Sequence, residues 1–410
     1  METNLKVLYI STNFTALSHT FITREINGLR DIGVDVKLLS VRNPDTSAAT
    51  KPECDLSGCK FVYPASFFPV LGGVISTFFR SPSRFITAAK TAFVNNEDSF
   101  KQKLKLFYQM LIACRFAGWI INEDVQHIHS HFAGSPTSFS MFLSALTGCP
   151  FTFTDHGAGV FHDRIGLKTK FRRASGVSSI SEFNTQFYPQ VADTVPTTKI
   201  VRCGLRMSDF TFNHRQKCNT PLHILAVSRI VPKKGFTYLF DGLAYLDEEG
   251  IDWNCTMVGE GPLIPELQEK AKSLGFADKV TFTGPLQQGE IRKLMLVSDM
   301  FVLPCVLAPD GDMDGIPVTL MEAMACGCPV ISTELSGVPE LVISDKTGLL
   351  LKPEDGLAVG KAMAQLAVDS ELTAKISKGG YDWVNDEFNI KKSARRISEF
   401  FAEIASKRKN

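Results

Sequence analysis

The stretch His223–Gly259, "HILAVSRIVPKKGFTYLFDGLAYLDEEGIDWNCTMVG", decides the fold. It opens with a short apolar run, "HILAVSRI". A helical pattern follows through "GFTYLFDGLAYLDEEG", and a second short run, "WNCTMVG", closes it. The alternation continues through "ELQEKAKSLG", "KVTFTG", "IRKLMLVSD", "MFVLPC", "LMEAMACG" and "PVIST". Strand-helix-strand repetition of this kind builds parallel sheets with helices on both faces. The scheme also starts once before, near Lys6, with "KVLYIST", a helix through "FITREINGLRDIG", and "DVKLLSV". Two starts in 410 residues predict an α/β protein of two doubly wound domains facing across a cleft. The polar stretch between them, "DFTFNHRQKCNTP" (Asp209–Pro221), reads as a linker. Ligands of such sheets bind beyond the carboxyl ends of the strands.

Bulk composition narrows the function classes. Hydrophobic residues make up 44% of the chain, which supports sizeable cores and argues against disorder. A net charge of +1 gives no bulk argument for nucleic acid. The ten cysteines are irregularly spaced; Cys54, Cys59, Cys326 and Cys328 match no zinc framework, so reduced thiols in a cytoplasmic protein are expected. Lys6 lies inside the first apolar run, which reads as a strand and not as a signal peptide. The segment Phe61–Phe79 carries no charge and approaches spanning length. Pro64, Pro69, Gly72 and Gly73 interrupt it, so a membrane span is rejected. Arg80, Arg84, Lys90 and "KQKLKLF" follow, and two readings stand: a segment lying on a membrane surface, or a partly buried helix pair with solvated lysines. The tail, "NIKKSARRISEFFAEIASKRKN", is a basic helix with Ile397, Phe400, Phe401 and Ile404 on one stripe.

The acidic stretch "PDGDMDGIPVTLMEAMA" (Pro309–Ala325) begins like a calcium loop. Counted from Asp310, however, position 12 is Met321, and Glu322 is one residue late. Pro317 removes a backbone donor, and "SDMFVLPC" before it reads as a strand and not as an entering helix. The alternative is a strand, a loop and a helix starting near Gly315, Ile316 and Pro317, with Pro317 in the first turn. The free N–H groups of such a helix start favour an anion. A carboxylate at Glu322 can accept hydrogen bonds from a vicinal diol such as a ribose. These are the needs of a nucleoside diphosphate, against the plainer reading of acids that stabilise a helix dipole. Arg229 and Lys234, after the strand "HILAV", suit a diphosphate as fork and point charge. "VGEGP" supplies Gly259 and Gly261 at another strand end, where the backbone can come close to a ligand.

Taken together, "AVSRIVPKKGFTYL", "MVGEGP", "VTFTG" and "DGIPVTLMEAMACGCPVISTELSGVPELV" resemble the retaining family 4 glycosyltransferases of GT-B fold. In the first half, "SHTFITREINGL", "HIHSHFAG", "FTFTDHG" and "VSSISEFN" resemble members that build bacterial exopolysaccharides, including colanic acid. The resemblance implies two Rossmann-like domains: an acceptor-binding domain over 1–206, a donor-binding domain over 207–385, and a C-terminal helix over 386–410 that returns to the first. It implies that Arg229 and Lys234 clamp the diphosphate and that Glu322 holds the ribose. Asp314 takes the place of the first acid of the family's Glu-x7-Glu pair, which contacts the donor sugar, and is shorter by one methylene. His156 in "TDHG" matches a histidine near that sugar. The family's glycine-rich loop after the first strand is missing from "STNFTALSHTF", where Ser18, His19 and Thr20 are the nearest substitutes. The implied reaction moves a sugar from a nucleoside diphosphate sugar to a lipid-linked glycan, with no cofactor and no essential metal, at the inner face of the cytoplasmic membrane.

Two rival readings compete. His127, His129 and His131 alternate and share one face of a strand, as a metal hydrolase would require, with Asp155 and His156 as further candidate ligands. The plainer account is a strand of structural histidines. The third reading is a nucleotide-sugar binding protein without catalysis, which the aspartate at 314 leaves open.

Overall fold

The structure, a computed structural model, describes residues 5–15, 19–43, 54–93, 98–162 and 164–407. The chain divides into two compact units. One comprises Met1–Gly204 with Ile390–Asn410, and the other Leu205–Asn389.

The first unit holds a seven-stranded parallel sheet. Its strands are β1 (Lys6–Ser11), β2 (Asp35–Ser40), β3 (Lys60–Phe61), β4 (His127–His131), β5 (Phe151–Asp155), β6 (Gly176–Ser179) and β7 (Thr198–Ile200), in the order β3-β2-β1-β4-β5-β6-β7. The helices are α1 (Thr20–Asp31), α2 (Phe67–Arg80), α3 (Pro82–Phe93), α4 (Phe100–Asn122), α5 (Ser135–Thr147), α6 (Ala158–Phe161), α7 (Leu167–Arg173) and α8 (Glu182–Phe187). The order reverses between β1 and β4, which pair directly. β1 is buried on both faces. Val7 and Tyr9 pack into a core with Ile22, Ile26 and Leu29 of α1, so the alternating Leu8 and Ile10 face the opposite side.

The second unit repeats the plan. Its strands are β8 (Leu222–Val227), β9 (Trp253–Val258), β10 (Val280–Gly284), β11 (Met300–Leu303), β12 (Val330–Thr333) and β13 (Leu349–Leu351), in the order β10-β9-β8-β11-β12-β13, all parallel. The helices are α9 (Phe236–Glu248), α10 (Ile264–Ser273), α11 (Gln288–Val297), α12 (Val318–Ala325), α13 (Gly356–Val368) and α14 (Ser370–Glu387). The reversal here falls between β8 and β11.

The last helix, α15 (Ile390–Ser406), belongs to the first unit. Its stripe of Ile397, Phe400, Phe401 and Ile404 is fully buried in the same core as Val7 and Tyr9. Burial of each such side chain contributes about 1.5–3 kcal/mol, so the helix is held by packing more than by propensity. Ser393 Oγ donates to the Arg202 carbonyl at 2.8 Å and ties its start to the end of β7.

Three expectations change. The stretch Asp209–Pro221 has no long helix or strand, yet it is packed and is no free linker. Arg215 is buried and donates to the carbonyls of Ser298 and Met295, both at 3.0 Å; the first unit ends at Gly204, two residues from the expected 206. Within Phe61–Phe79, Gly72 and Gly73 do not interrupt the helix. Pro69 sits in the first turn of α2, where its missing N–H removes no bond, and α2 runs on for 14 residues. Pro317 caps α12 with extended backbone, and the helix begins at Val318. Among the described residues, α4 is long and apolar enough to cross a bilayer, but half of that window is buried inside the protein, as in a core helix. All ten cysteines are free thiols.

Candidate functional site

In an open parallel sheet, the crevice for a ligand forms where strand order reverses, because the two flanking loops diverge there. In the second unit those loops follow β8 and β11. The first turns through a short 3-10 helix, Pro232–Lys234, into α9. The second runs from Pro304 to Pro317, ahead of α12. The Val306 N–H donates to the Lys233 carbonyl at 3.0 Å and joins the two loops. The Ile230 N–H donates to the Glu260 carbonyl at 2.8 Å and joins the third loop, after β9. This loop needs its glycines. Gly259 has φ +135°, and a Cβ there would lie 1.9 Å from the Ser228 carbonyl oxygen; a Cβ on Gly261 would lie 2.1 Å from that of Ile230.

Two acids of Asp310–Asp314 meet lysines. Lys234 Nζ forms an ion pair with Asp314 Oδ2. Lys233 Nζ lies 2.9 Å from Asp312 Oδ2 and 3.4 Å from Asp314 Oδ1. Asp310 accepts from the Asp312 N–H at 3.0 Å, a local turn. Burial pushes the Asp314 carboxyl up, but Lys234 and Lys233 outweigh it and hold the group below its ordinary range. Burial pulls the Lys233 ammonium down; Asp314 and Asp312 overcome that and raise it. Lys233 is therefore charged; both lysines are largely buried, with the exposed Arg229 near enough to act on Lys233. Glu322 is buried on α12. Gly315, Ile316 and Pro317 are buried as well. Cys305 Sγ sits 3.6 Å from Asp314 Oδ2, and burial raises its thiol pKa far above the ordinary value. The sequence reading named Arg229, Lys234 and Asp314 but missed Lys233, Asp312 and Cys305. The doubled lysine of "PKK" was the available signal.

The first unit places a different set at its own reversal. His127, His129 and His131 are buried on the face of β4 that meets Tyr9 and α15; His129 lies 5.0 Å from the Tyr9 ring and 4.9 Å from Phe401. His129 places its two ring nitrogens 2.8 Å from Thr152 Oγ1 and 2.9 Å from Thr154 Oγ1. His127 Nε2 is 2.7 Å from Thr152 Oγ1. At the strand end, His131 Nδ1 lies 2.9 Å from His156 Nε2. Their ring planes differ by 20° with centroids 5.2 Å apart, an edge-to-edge hydrogen bond. His131 Nε2 lies 3.2 Å from Glu25 Oε1, which also accepts from the Tyr9 hydroxyl at 2.7 Å. Burial lowers the pKa of His127 to about 3 and those of His129 and His156 well below the usual imidazole range.

The residues that could meet a metal are only in part those expected: His129 and His131, joined by Glu25. Ligand atoms of Glu25, His129 and His131 lie within 4.8 Å of one another. His127 does not join them. Asp155 is directed elsewhere, accepting from the Gly157 N–H at 2.8 Å and from Asn184 Nδ2 at 2.9 Å. Both ring nitrogens of His129 already meet hydroxyls, the arrangement of structural histidines. His19 Nδ1 lies 3.2 Å from the Asn13 carbonyl, Thr20 opens α1, and Ser18 falls outside the described residues.

Residues 208–383 match the family model of group 1 glycosyl transferases. The second unit therefore carries a group 1 glycosyl transferase domain. The chain is 26% identical to the amylovoran biosynthesis glycosyltransferase AmsK of Erwinia amylovora, over 98% of this chain and 100% of that protein. It is 36% identical to the putative colanic acid biosynthesis glycosyltransferase WcaL of Escherichia coli K12, over 51% of this chain and 52% of that protein. Among solved structures, Anabaena HepE in complex with UDP and glucose superposes with a TM-score of 0.70 at 15% identity, covering 97% of this chain and 100% of that one. The sucrose-phosphate synthase of Thermosynechococcus elongatus gives 0.71 at 16%, covering 98% and 99%. These likenesses make the fold GT-B, two Rossmann-like parallel-sheet domains.

Proposed function

We propose that this glycosyltransferase moves a sugar from a nucleoside diphosphate sugar to a lipid-linked glycan in exopolysaccharide biosynthesis, with retention of anomeric configuration and without an essential metal. The observation that carries the reading is the group of Arg229, Lys233 and Lys234 at the reversal of the second sheet. A diphosphate leaving group gains negative charge as its bond to the sugar breaks, and pre-placed cations lower that barrier without reorganising. Asp314 holds Lys234 in place and contacts the sugar; Glu322 accepts from the ribose hydroxyls. His156, neutral because it is buried, positions the donor sugar. The acceptor hydroxyl attacks the face that the diphosphate leaves, and a phosphate oxygen takes its proton. The names of AmsK and WcaL support the polysaccharide pathway. An acceptor carried on lipid places the work at the inner, cytoplasmic face of the membrane.

The test is a screen of nucleotide sugars for donor hydrolysis, followed by proton NMR of the released or transferred sugar before it mutarotates. Hydrolysis of one donor with the anomer retained is expected. Inversion would overturn the mechanism, and no turnover of any donor despite tight nucleotide binding would favour a binding protein.

A further inference from the structure

In the first unit the chain between β3 and β4 forms three helices that leave an apolar face open. Of 17 large apolar side chains exposed among the described residues, 12 lie on α2, α3 and α4. Phe68 is 81% exposed and Phe79 78%; Phe67 and Phe100 are 71% exposed. Side chains that size in water are ordinary when scattered and informative when gathered.

Packing fixes the orientation of this face. A Cβ on Gly73 would lie 2.6 Å from the Arg115 backbone, so α2 touches α4 with almost no gap. Thr77, one turn on, is the buried residue of α2, and its Oγ1 donates to the Cys114 carbonyl at 3.4 Å. With positions 73 and 77 held inward, Phe68, Leu71, Ile75 and Phe79 are held outward. Phe78 meets Phe85 of α3 at 5.5 Å, and Phe93 of α3 meets Phe107 of α4 at 5.3 Å, which joins the three helices into one layer. Phe100, Leu104 and Tyr108 form an exposed stripe at helical spacing on α4.

The charge on this layer is of one sign. The three helices carry seven Lys or Arg and no Asp or Glu, in a chain whose net charge is +1. Arg80, Arg84, Lys90, Lys101 and Lys105 are exposed. A cavity of about 310 Å³ opens within the layer, lined by Arg80 and Arg84 with the hydroxyls of Ser76 and Ser81. Arg84 is held there by its 2.6 Å bond from Nη1 to the Thr147 carbonyl. Aromatic side chains beside a ring of cations suit the boundary between acyl chains and phosphate head groups. They do not suit a second copy of the chain, since two like-charged faces repel.

We infer that the α2–α3–α4 layer of the first unit seats on a bilayer containing anionic phospholipid, with its exposed phenylalanines at the acyl boundary and a lipid phosphate at Arg80 and Arg84. Its purpose rests on the reading of a lipid-borne acceptor; its existence does not.

Co-sedimentation with vesicles tests it. The full chain is expected to bind phosphatidylglycerol–phosphatidylcholine vesicles at low salt and to need at least tenfold more lipid at high salt. Phosphatidylcholine alone should capture it weakly. Lys101→Glu with Lys105→Glu should cost about tenfold or more in lipid affinity. Phe67→Ser, Phe68→Ser and Phe79→Ser together should abolish binding, while unfolding temperature and hydrolysis of a soluble donor stay unchanged. Undiminished vesicle binding by both variants would overturn the inference. So would a wild-type dimer that those substitutions dissolve, because the layer would then be an interface between copies. Loss of donor hydrolysis bears on the catalytic reading alone, since soluble donor needs no vesicle.

Discussion

The two sheets share a plan and reverse strand order at the same place, yet they set opposite chemistry there. At the reversal of the second unit stand the ion pairs of Lys233 and Lys234 with Asp312 and Asp314, with Arg229 nearby. At the reversal of the first stand buried imidazoles bonded to hydroxyls and to one another, with His129 and His156 kept neutral by burial. The same backbone reversal therefore carries buried ion pairs in one unit and hydroxyl-bonded imidazoles in the other. Specificity lies in the residues placed at the strand ends, not in the sheet.

The largest expected effect would sharpen that contrast at its charged pole. Lys234→Ala or Arg229→Ala should lower kcat with the correct donor by about a hundred- to a thousandfold, the loss typical of one donor to a developing oxyanion. Single-turnover kinetics measure it. Equal losses in ground-state nucleotide affinity and rate would assign these cations to binding alone.

Next in size is nucleotide affinity. Glu322→Ala should weaken the nucleoside diphosphate about ten- to a hundredfold, since a charged hydrogen bond is worth roughly 1.5–3 kcal/mol. Asp314→Ala should spare that affinity or tighten it, because it releases Lys234 from its partner, yet depress donor turnover. Calorimetric titration of both variants decides; the reverse pattern would exchange the two roles.

The neutral pole of the comparison is tested by acid. A histidine whose folded pKa lies below its unfolded value is stable above both and loses stability as pH falls through the unfolded pKa toward the folded one. For His127 that window runs from about 6.5 down to about 3, and His129 and His156 shift in the same direction. His127 alone carries up to several kcal/mol across it. Scanning calorimetry should show stability falling between pH 6.5 and 5, and His127→Gln should flatten the slope. A slope unaltered in that variant would place the acid sensitivity elsewhere.

The smallest expected effect is that of a chelator. EDTA should leave kcat within about twofold, because the lysines and arginine occupy the electrostatic role that a divalent ion fills in metal-dependent sites. Activity abolished by EDTA and restored by a metal ion would sink metal independence and turn attention to Glu25, His129 and His131.

Most elements of the second unit were legible in the sequence because each is short, periodic and bounded by glycine or a polar turn. Arg229, Gly259 and Gly261 lie in loops directly after strands, where local order predicts place. What escaped notice was assembled from afar. Glu25 reaches His131 from more than a hundred residues earlier, because β1 and β4 are neighbours in the sheet and not in the chain. Lys233 and Lys234 look alike in sequence. Only the 3-10 turn that carries them shows that both are buried and that they divide two acids between them. The packing of Asp209–Pro221 was hidden for a third reason: the stretch has the composition of a linker but buries Arg215.

The placement of α15 has a consequence for synthesis. Residues of α15 leave the ribosome only after all of the second unit, yet Phe401 packs against Tyr9 and His127, which are made before that unit. The second unit is continuous and can fold as it emerges. The first must wait, with its sheet face only partly covered by α1, until α15 arrives, and its closure spans the whole second unit. A stop codon just before Ile390 would thus damage the unit whose synthesis began earlier.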